Sequence, residues 1–158
     1  MLQRTSIWTA GVDDAPVVAR LLGEFRDWWG NSGPSDADML ASVCRVMAGG
    51  DGEFLLGGAA RDVAPEGVCQ LRFRWSVWKT AEDCWLEDLY VRESARRGGL
   101  GRALVEAALA RARERGCRRI ELDVNEDNAP ALALYAACGF TLEPKPPGRT
   151  QFVGRSLD

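Results

Sequence analysis

A glycine-rich turn, Arg96-Arg97-Gly98-Gly99-Leu100-Gly101, is the segment of this 158-residue chain best suited to bind a charged ligand. It lies between an apolar strand pattern that ends at Val91 and a helical pattern that begins near Gly99. Main-chain N–H groups at a helix N-terminus have no intrahelical partner and favour anions, and glycine allows a phosphate to approach closely. The arginines of the turn and Arg102 strengthen that preference. The turn predicts a diphosphate site, although Gly-x-Gly before a helix can also serve only to tighten the connection.

Candidate proton carriers belong to few residue types, because the chain contains no histidine. Two adjacent acids, Glu87 and Asp88, precede the turn on the strand that ends at Val91. Side chains alternate along a strand, so only one of these acids should face a cleft unless a bulge changes the alternation. Tyr135 is the second candidate, either as a proton donor with an ordinary pKa of about 10 or as a half-buried helix residue.

Two adjacent tryptophans, Trp28 and Trp29, end the first helical pattern. Neighbouring helix positions point about 100° apart, so both cannot share one buried face. One of them could belong to the core while the other forms a pocket wall, where an aromatic face attracts a cationic amine. Core packing of both is the favoured interpretation from sequence.

The composition excludes several classes of protein. Hydrophobic residues make up 46% and charged residues 27%, which is typical of globular domains. The net charge of -3 argues against a nucleic-acid partner, and no apolar stretch approaches the roughly 20 residues of a membrane span. We therefore expect no membrane partner and a cytoplasmic location. Five cysteines without histidine predict no disulfide framework and no metal site, and Cys84, Cys117 and Cys138 are interpreted as buried thiols rather than nucleophiles.

The elements that position these residues follow from periodicity, and they predict one domain over residues 1–158. Helices are expected over 16–30, 36–47, 99–116 and 128–139, with Asp13 or Asp14, Ser35 or Asp36, and Asn128 as their capping residues. Strands are expected over 5–9, 53–60, 68–78, 84–91, 120–124, 140–142 and 151–155. This order predicts an α/β fold with a mixed sheet, in which the strands on either side of the third helix are parallel.

Three motifs in this order resemble those of the GNAT acetyltransferase superfamily. They are Leu86-Glu87-Asp88-Leu89-Tyr90-Val91, then Arg96-x-x-Gly99-x-Gly101, then Asn128-x-x-Ala131-x-x-x-Tyr135-x-x-x-Gly139-Phe140. The resemblance is strong over residues 84–142 and covers the whole chain by element order. One departure is Gly98, where the family often has a basic or bulky residue.

The resemblance implies a GNAT fold, a mostly antiparallel sheet whose central parallel pair splays to hold acetyl-CoA, with helices on both faces. It places the pyrophosphate of the cofactor at Arg96, Arg97, Gly98, Gly99, Leu100, Gly101 and Arg102. It also implies that main-chain groups of Leu89, Tyr90 and Val91 meet the pantetheine arm, and that Asn128, Ala131 and Tyr135 approach it. Tyr135 would be the general acid. Glu87, directly or through water, is our leading candidate for the base.

The acceptor is less clear from sequence. The Leu86-Glu87-Asp88 run and the 75–80 segment resemble the diamine and polyamine branch of the family, which includes spermidine/spermine and thialysine acetyltransferases. That likeness implies a small primary amine held near Trp28, Trp29, Glu87 and Asp88. The alternatives are acetylation of protein N-termini or lysines, and a non-catalytic acyl-CoA-binding module. The family resemblance also makes a homodimer plausible.

Overall fold

A computed structural model describes residues 5–141 and 153–157, in which one five-stranded sheet carries helices on both faces. The strands pair in the order β1-β2-β3-β4-β5. They are β1 (Ser6–Thr9), β2 (Gly52–Gly58), β3 (Gly67–Ser76), β4 (Ala81–Val91) and β5 (Arg119–Glu121). The helices are α1 (Ala15–Trp28), α2 (Asp36–Gly49), α3 (Leu100–Glu114) and α4 (Ala129–Ala137).

The predicted fold class is confirmed. The first four strands are antiparallel to their neighbours, whereas β4 and β5 are parallel, as the crossover through α3 requires. One detail differs, because β5 ends at Glu121 instead of continuing to Val124. Within the described residues the parallel pair lies at the edge of the sheet.

The two last predicted strands account for this difference. Phe140 and Thr141, and Val153 to Arg155, form no strand, so the described part of the chain supplies no neighbour to the outer edge of β5. Leu142 and the segment 151–152 lie outside the described residues.

Each face of the sheet has its own core. Helices α1 and α2 cover one face, where Val18, Leu21 and Val43 pack on Phe54 and Leu56. Helix α3 covers the other face, where its apolar side packs on the alternate residues of the same strands; this second core includes Leu55, Cys69, Leu71, Leu104, Val105 and Ala108. Strict alternation along β2 and β3 therefore assigns neighbouring side chains to different cores.

Helix caps fix where the cavity-forming helices begin. The Ser35 hydroxyl accepts a hydrogen bond from the Asp38 amide at the start of α2, and the Asn128 side chain accepts one from the Ala131 amide at the start of α4. Both residues are therefore N-caps, as predicted. Asp14 holds the capping position of α1 but makes no side-chain cap; its carboxylate instead accepts a 2.8 Å hydrogen bond from the Gly11 amide.

Helix α3 approaches the sheet unusually closely at two glycines. A Cβ atom at Gly57 would lie 2.7 Å from both Leu100 Cδ1 and Ile7 Cδ1, and one at Gly67 would lie 2.9 Å from Leu104 Cδ1. Such separations are too short for real Cβ contacts, so a larger residue at either position would force the Ile7, Leu100 or Leu104 side chain to shift. The first turn of α3 is thereby seated directly on the strands. None of the described helices is long and apolar enough to cross a membrane.

Candidate active site

A single cavity of about 1220 Å³ brings together most of the predicted site residues. One end is formed by the 96–102 turn and by the start of α4. The other end lies between the sheet and the two helices α1 and α2. The predicted residues that line it are Trp28, Trp29, Glu87, Asp88, Leu89, Tyr90, Val91, Arg96, Arg97, Gly99, Gly101, Arg102, Asn128, Ala131 and Tyr135. Gly98 and Leu100 do not line it.

The turn presents main-chain amides without a side-chain cap. Gly99 is the N-cap residue of α3 with φ 87°, in the left-handed region, and no side chain caps the helix there. The first amides of α3 are therefore free to bind an external acceptor. Leu100 is 6% exposed and packs in the core, so its side chain anchors the turn and only its main chain could serve a ligand. This geometry suits a diphosphate.

Arg96 connects the turn to both neighbouring elements. Its Nε atom donates a 2.9 Å hydrogen bond to the main-chain oxygen of Val91, the last residue of β4. Its guanidinium carbon lies 5.3 Å from the centre of the Trp28 ring, within the range of a cation–π contact. Arg96 therefore contacts the strand end and helix α1 at once.

A gap opens between the two parallel strands beside the turn. The ladder joins Asp83 to Arg119 and Trp85 to Glu121, and it ends there although β4 continues to Val91. Beyond the end of the ladder, Leu89 and Val91 of β4 and Val124, which follows β5, line the same cavity. The predicted splaying of this pair is confirmed, and an extended polar chain could lie between the strands.

A β-bulge decides the orientation of the two acids. Gln70 pairs with Asp88 but Leu71 pairs with Leu86, which leaves Glu87 as the extra residue of β4. The bulge breaks the alternation: Leu86 belongs to the α3 core, whereas both acids line the cavity. The expectation that only one acid faces the cleft excepted a bulge, and the structure contains one, because two residues of β4 oppose one residue of β3.

The two acids have different environments. Glu87 is exposed, while Asp88 is partly buried. Burial, together with the charges of Glu87 and Asp123, raises the pKa of Asp88 to about 6. Asp88 is therefore ionised at neutral pH and can be protonated by a modest drop in pH, which is the behaviour of a general base. The described residues contain no group of acids and cysteines arranged to hold a metal ion.

Tyr135 lies on α4 and closes the wall opposite these acids. It is 9% exposed, and its ring packs edge-on against Phe140 at a centroid distance of 5.7 Å. Burial is the main reason why the pKa of Tyr135 is raised to about 12, and the charges of Asp123 and Asp88 contribute. The phenol remains protonated at neutral pH and beyond, so it can act only as a proton donor there.

The structure corrects the interpretation of the two tryptophans. Trp28 is 52% exposed and Trp29 is 51% exposed, and both line the cavity, so neither is a core residue. Their rings meet edge-on at 5.0 Å, and Phe25 stacks between Trp28 and Tyr90. Helix α1 ends at this point, which leaves no further turn to bury either ring.

The second wall of the cavity was missed by sequence reasoning. Helix α2 contributes Met39, Ser42, Val43 and Val46, none of which the sequence analysis placed at the site. Other missed residues are Leu22, Phe25, Arg26, Phe54, Gln70, Asp123 and Asn125. Gln70 had a readable signal, because it is a polar residue within the apolar strand Val68 to Phe73. Asp123 had one as well, since it follows a strand at its carboxyl end.

Two ion pairs hold the walls in place. Arg92, directly after β4, makes two hydrogen bonds of 2.8 and 2.6 Å to the Glu24 carboxylate on α1. Arg26 donates to the main-chain oxygen of Pro34 at 2.6 Å and to Asp36 at 2.9 Å, which fastens the connection between α1 and α2. Paired geometry of this kind fixes the orientation of a helix more than it adds stability.

None of the five cysteines lines the cavity. Burial raises the pKa of Cys84 to about 12, and it raises that of Cys117 and Cys138 as well. A thiol with a raised pKa is a poor nucleophile, which agrees with the interpretation of these residues as structural.

Comparison with known proteins gives the site a family. The profile of the Acetyltransferase (GNAT) family matches residues 18–140. The aminoglycoside N(6')-acetyltransferase type 1 of Klebsiella aerogenes is 40% identical over 101 residues, which are 56% of this chain and 66% of that protein. The protein of the same name from Stenotrophomonas maltophilia is 32% identical over 110 residues, 68% of this chain and 71% of its own length.

Solved structures agree on the fold. A protein of Arthrobacter sp. FB24, whose description assigns it to the acetyltransferases, superposes with a TM-score of 0.83 at 32% identity and covers 96% of both chains. An aminoglycoside acetyltransferase from an uncultured soil metagenomic sample has a TM-score of 0.73 at 16% identity, covering 98% of this chain and 95% of its own, and is similar in fold alone. The matched profile, the splayed strands and the uncapped turn lead to one conclusion: this chain belongs to the GNAT family of acetyltransferases.

Proposed function

We propose that this N-acetyltransferase moves the acetyl group of acetyl-CoA directly to a primary amine of a small molecule. The observation that carries the proposal is the continuity of one cavity, which joins the uncapped N-terminus of α3 to a pocket of acids and aromatic rings. A donor and an acceptor bound at its two ends would meet beside Asp88 and Tyr135.

The residues of the turn fit the cofactor. The free amides at the start of α3 and the arginines at 96, 97 and 102 suit the pyrophosphate, since helix N-termini and cations favour negative charge. The gap between Leu89 and Val124 suits the pantetheine arm, because main-chain groups there have no ladder partner on β5. Asn128 lines the cavity while it caps α4, so both roles foreseen for it are compatible.

The chemistry of the chain itself concerns two protons. Bound acetyl-CoA supplies the thioester carbon that the amine attacks and the thiolate that departs. The attacking amine must lose a proton, and we propose that the Glu87 and Asp88 pair accepts it, directly or through water. Asp88 is the better placed of the two, since it is more buried and its pKa of about 6 lies closer to neutrality. Tyr135 then donates its proton to the departing sulfur.

A small amine is the acceptor that the cavity supports best. Three carboxylates, Glu87, Asp88 and Asp123, and the rings of Trp28 and Trp29 line it, and both kinds of group attract a cation. Relatives are named for small amines: two aminoglycoside acetyltransferases, a thialysine acetyltransferase of Bos taurus and a streptothricin acetyltransferase of Streptomyces lavendulae. Homodimerisation and a cytoplasmic location remain predictions from sequence.

The test separates an enzyme from a silent binding module and from a peptide acetyltransferase. Titration calorimetry with acetyl-CoA should show binding, and a thiol-release assay over a panel of amines should show turnover with small amines above that with lysine peptides. Binding without turnover on any amine would favour the module. Faster turnover on peptides would replace the small-molecule proposal.

A further inference from the structure

The end of the cavity that lies between the sheet and helices α1 and α2 is the acceptor end of the proposed reaction. Gln70 occupies an unusual place at the bottom of this acceptor end. It lies in the middle of β3 and is 9% exposed. The strand register places it between Phe54 of β2 and Asp88 of β4, and all three side chains line the cavity. The row Phe54, Gln70, Asp88 therefore forms part of the pocket floor.

The Gln70 amide makes no hydrogen bond to any residue of the described ranges 5–141 and 153–157, and it lies between Asp88 on one side and apolar side chains on the other. Leu22, Val43 and Val46 line the same cavity above the floor, and Phe54 beside it is 1% exposed. A polar group that opens onto a pocket can be hydrogen-bonded by water or by a bound ligand, and the open side of the Gln70 amide faces the acceptor pocket.

The register also limits how far the ligand group that contacts Gln70 can lie from the amine held at Asp88. Directly opposite residues of antiparallel strands have Cβ atoms about 4.5–5.5 Å apart. A molecule whose amine is held at the Asp88 carboxylate therefore reaches the Gln70 amide with an atom two or three bonds farther along. The group that satisfies the amide must be close to the reacting nitrogen in the covalent structure of the acceptor.

A neutral hydroxyl suits this position better than a second ammonium. The carboxamide offers both a donor and an acceptor, which a hydroxyl matches with its own acceptor and donor. A second ammonium at Gln70 would meet an uncharged amide beside Phe54, because the Asp88 carboxylate opposite is already engaged by the reacting amine, and desolvation without a charged partner is costly.

We propose that Gln70 is a specificity-determining residue that hydrogen-bonds a hydroxyl on the carbon next to the amine-bearing carbon, or one carbon farther, so that the preferred acceptor is a 1,2- or 1,3-amino alcohol. The inference rests on the proposed function, because it assumes that the reacting amine lies at Asp88. It adds to that function a class of acceptor and the residue that selects it.

The experiment compares acceptors of matched shape. trans-2-Aminocyclohexanol, trans-4-aminocyclohexanol, trans-1,2-diaminocyclohexane and cyclohexylamine are assayed with the native protein and with Gln70→Leu. In the native protein we expect kcat/KM for the 2-amino alcohol to exceed that for cyclohexylamine by about 10- to 100-fold. Gln70→Leu should reduce that ratio to about one by losing activity on the amino alcohol alone, whereas Phe54→Leu should change both substrates alike.

Several results would overturn the proposal: an unchanged ratio in Gln70→Leu, equal use of the 2- and 4-amino alcohols, or a preference for the diamine. The comparison of the two amino alcohols needs only the native protein, so it decides even if the variant does not fold. Calorimetric Kd values for the same amines, measured with saturating coenzyme A, give the ratio independently of turnover. If the native protein bound the amino alcohol selectively but turned over none of the amines, the proposed reaction would be contradicted. The role of Gln70 in selecting the hydroxyl would still be supported.

Discussion

The two ends of the cavity are built in different ways. The cofactor end comes from a contiguous run, 96–102, and offers main-chain amides at the start of one helix. The acceptor end is assembled from side chains on α1, α2, β2, β3 and β4, which are distant in sequence. A main-chain site depends on backbone conformation and tolerates most changes of side chain, whereas a side-chain site is altered by each substitution. If the donor binds the turn as proposed, this difference predicts that the donor is kept while acceptors vary among proteins of this fold.

Tyr135 and Asp88 lie where the two ends meet, and variants there should have the largest effect. Tyr135→Phe removes the proton donor and should lower kcat about 10²- to 10⁴-fold while the Kd for acetyl-CoA stays within a few-fold. Because the pKa of Tyr135 is about 12, native turnover should show no alkaline decline from this group between about pH 8 and pH 10. Steady-state kinetics beside calorimetry measures both; turnover within a few-fold of native would remove Tyr135 from the role of acid.

Substitution of the acids tests which of them belongs to the reaction. Asp88→Asn should lower kcat by about 10²-fold or more, whereas Glu87→Gln should cost less. Since the pKa of Asp88 is about 6, native kcat should fall about tenfold per pH unit below pH 6, as the carboxylate becomes protonated. A pH profile of both variants is the measurement. If Glu87→Gln carries the larger loss and abolishes the acid limb, Glu87 is the base.

At the cofactor end, two glycines of one turn make a matched pair. Gly99→Ala places a Cβ on a residue with φ 87°, which costs about 1–2 kcal/mol, and it should weaken acetyl-CoA binding about tenfold by shifting the amides. Gly101→Ala adds a Cβ that meets Leu134 at 3.4 Å and Val91 at 3.9 Å, an ordinary contact. That variant should bind within about threefold of native and gain up to about 1 kcal/mol of helix stability. Equal losses would argue against a main-chain site.

Asp88→Asn should raise the free energy of unfolding although it lowers activity. The pKa of Asp88 is raised in the folded state, so its ionised form disfavours folding above pH 6 and its neutral form favours folding at lower pH. Asp88→Asn should therefore stabilise the protein on the order of 2 kcal/mol at pH 8, and the gain should vanish below about pH 4. Urea unfolding at the two pH values checks this; a destabilised variant at pH 8 would show that the carboxylate is well paired.

The smallest effects are expected at the tryptophans, and they test how independent the two ends are. Trp29→Leu should raise the KM for the amine about two- to fivefold and leave the Kd for acetyl-CoA unchanged. Trp28→Leu should raise both, because the Trp28 ring also lies against Arg96 of the turn. Identical behaviour of the two variants would mean that this contact does not link the ends.

Sequence reasoning succeeded where the signal was local. The turn, the Asn128 and Ser35 caps and the order of elements all follow from residues near each other in the chain. It left the answer open where that answer depended on pairing between strands. The bulge at Glu87 is set by the register of β4 against β3, and nothing in the alternation of β4 itself reveals it.

The acceptor end shows the same limit on a larger scale. Helix α2 could be predicted as a helix, but which of its faces would meet the sheet beside Gln70 depends on how α1 and α2 pack together. The two tryptophans were assigned to a core because apolar residues at a helix end usually bury themselves. Their exposure follows from the position at which α1 stops, because the helix ends at Trp28, beyond its last buried residue, Gly23.

The two glycines beneath α3 carry a consequence for genetics. Neither Gly57 nor Gly67 lines the cavity, yet a methyl group at either would press on Leu100 or Leu104, which belong to the helix whose first turn forms one end of the cavity. A screen for inactive clones should therefore recover substitutions at these two glycines, although neither residue takes part in the reaction. Such changes would act through packing, and replacing the opposing leucine by a smaller residue should restore activity.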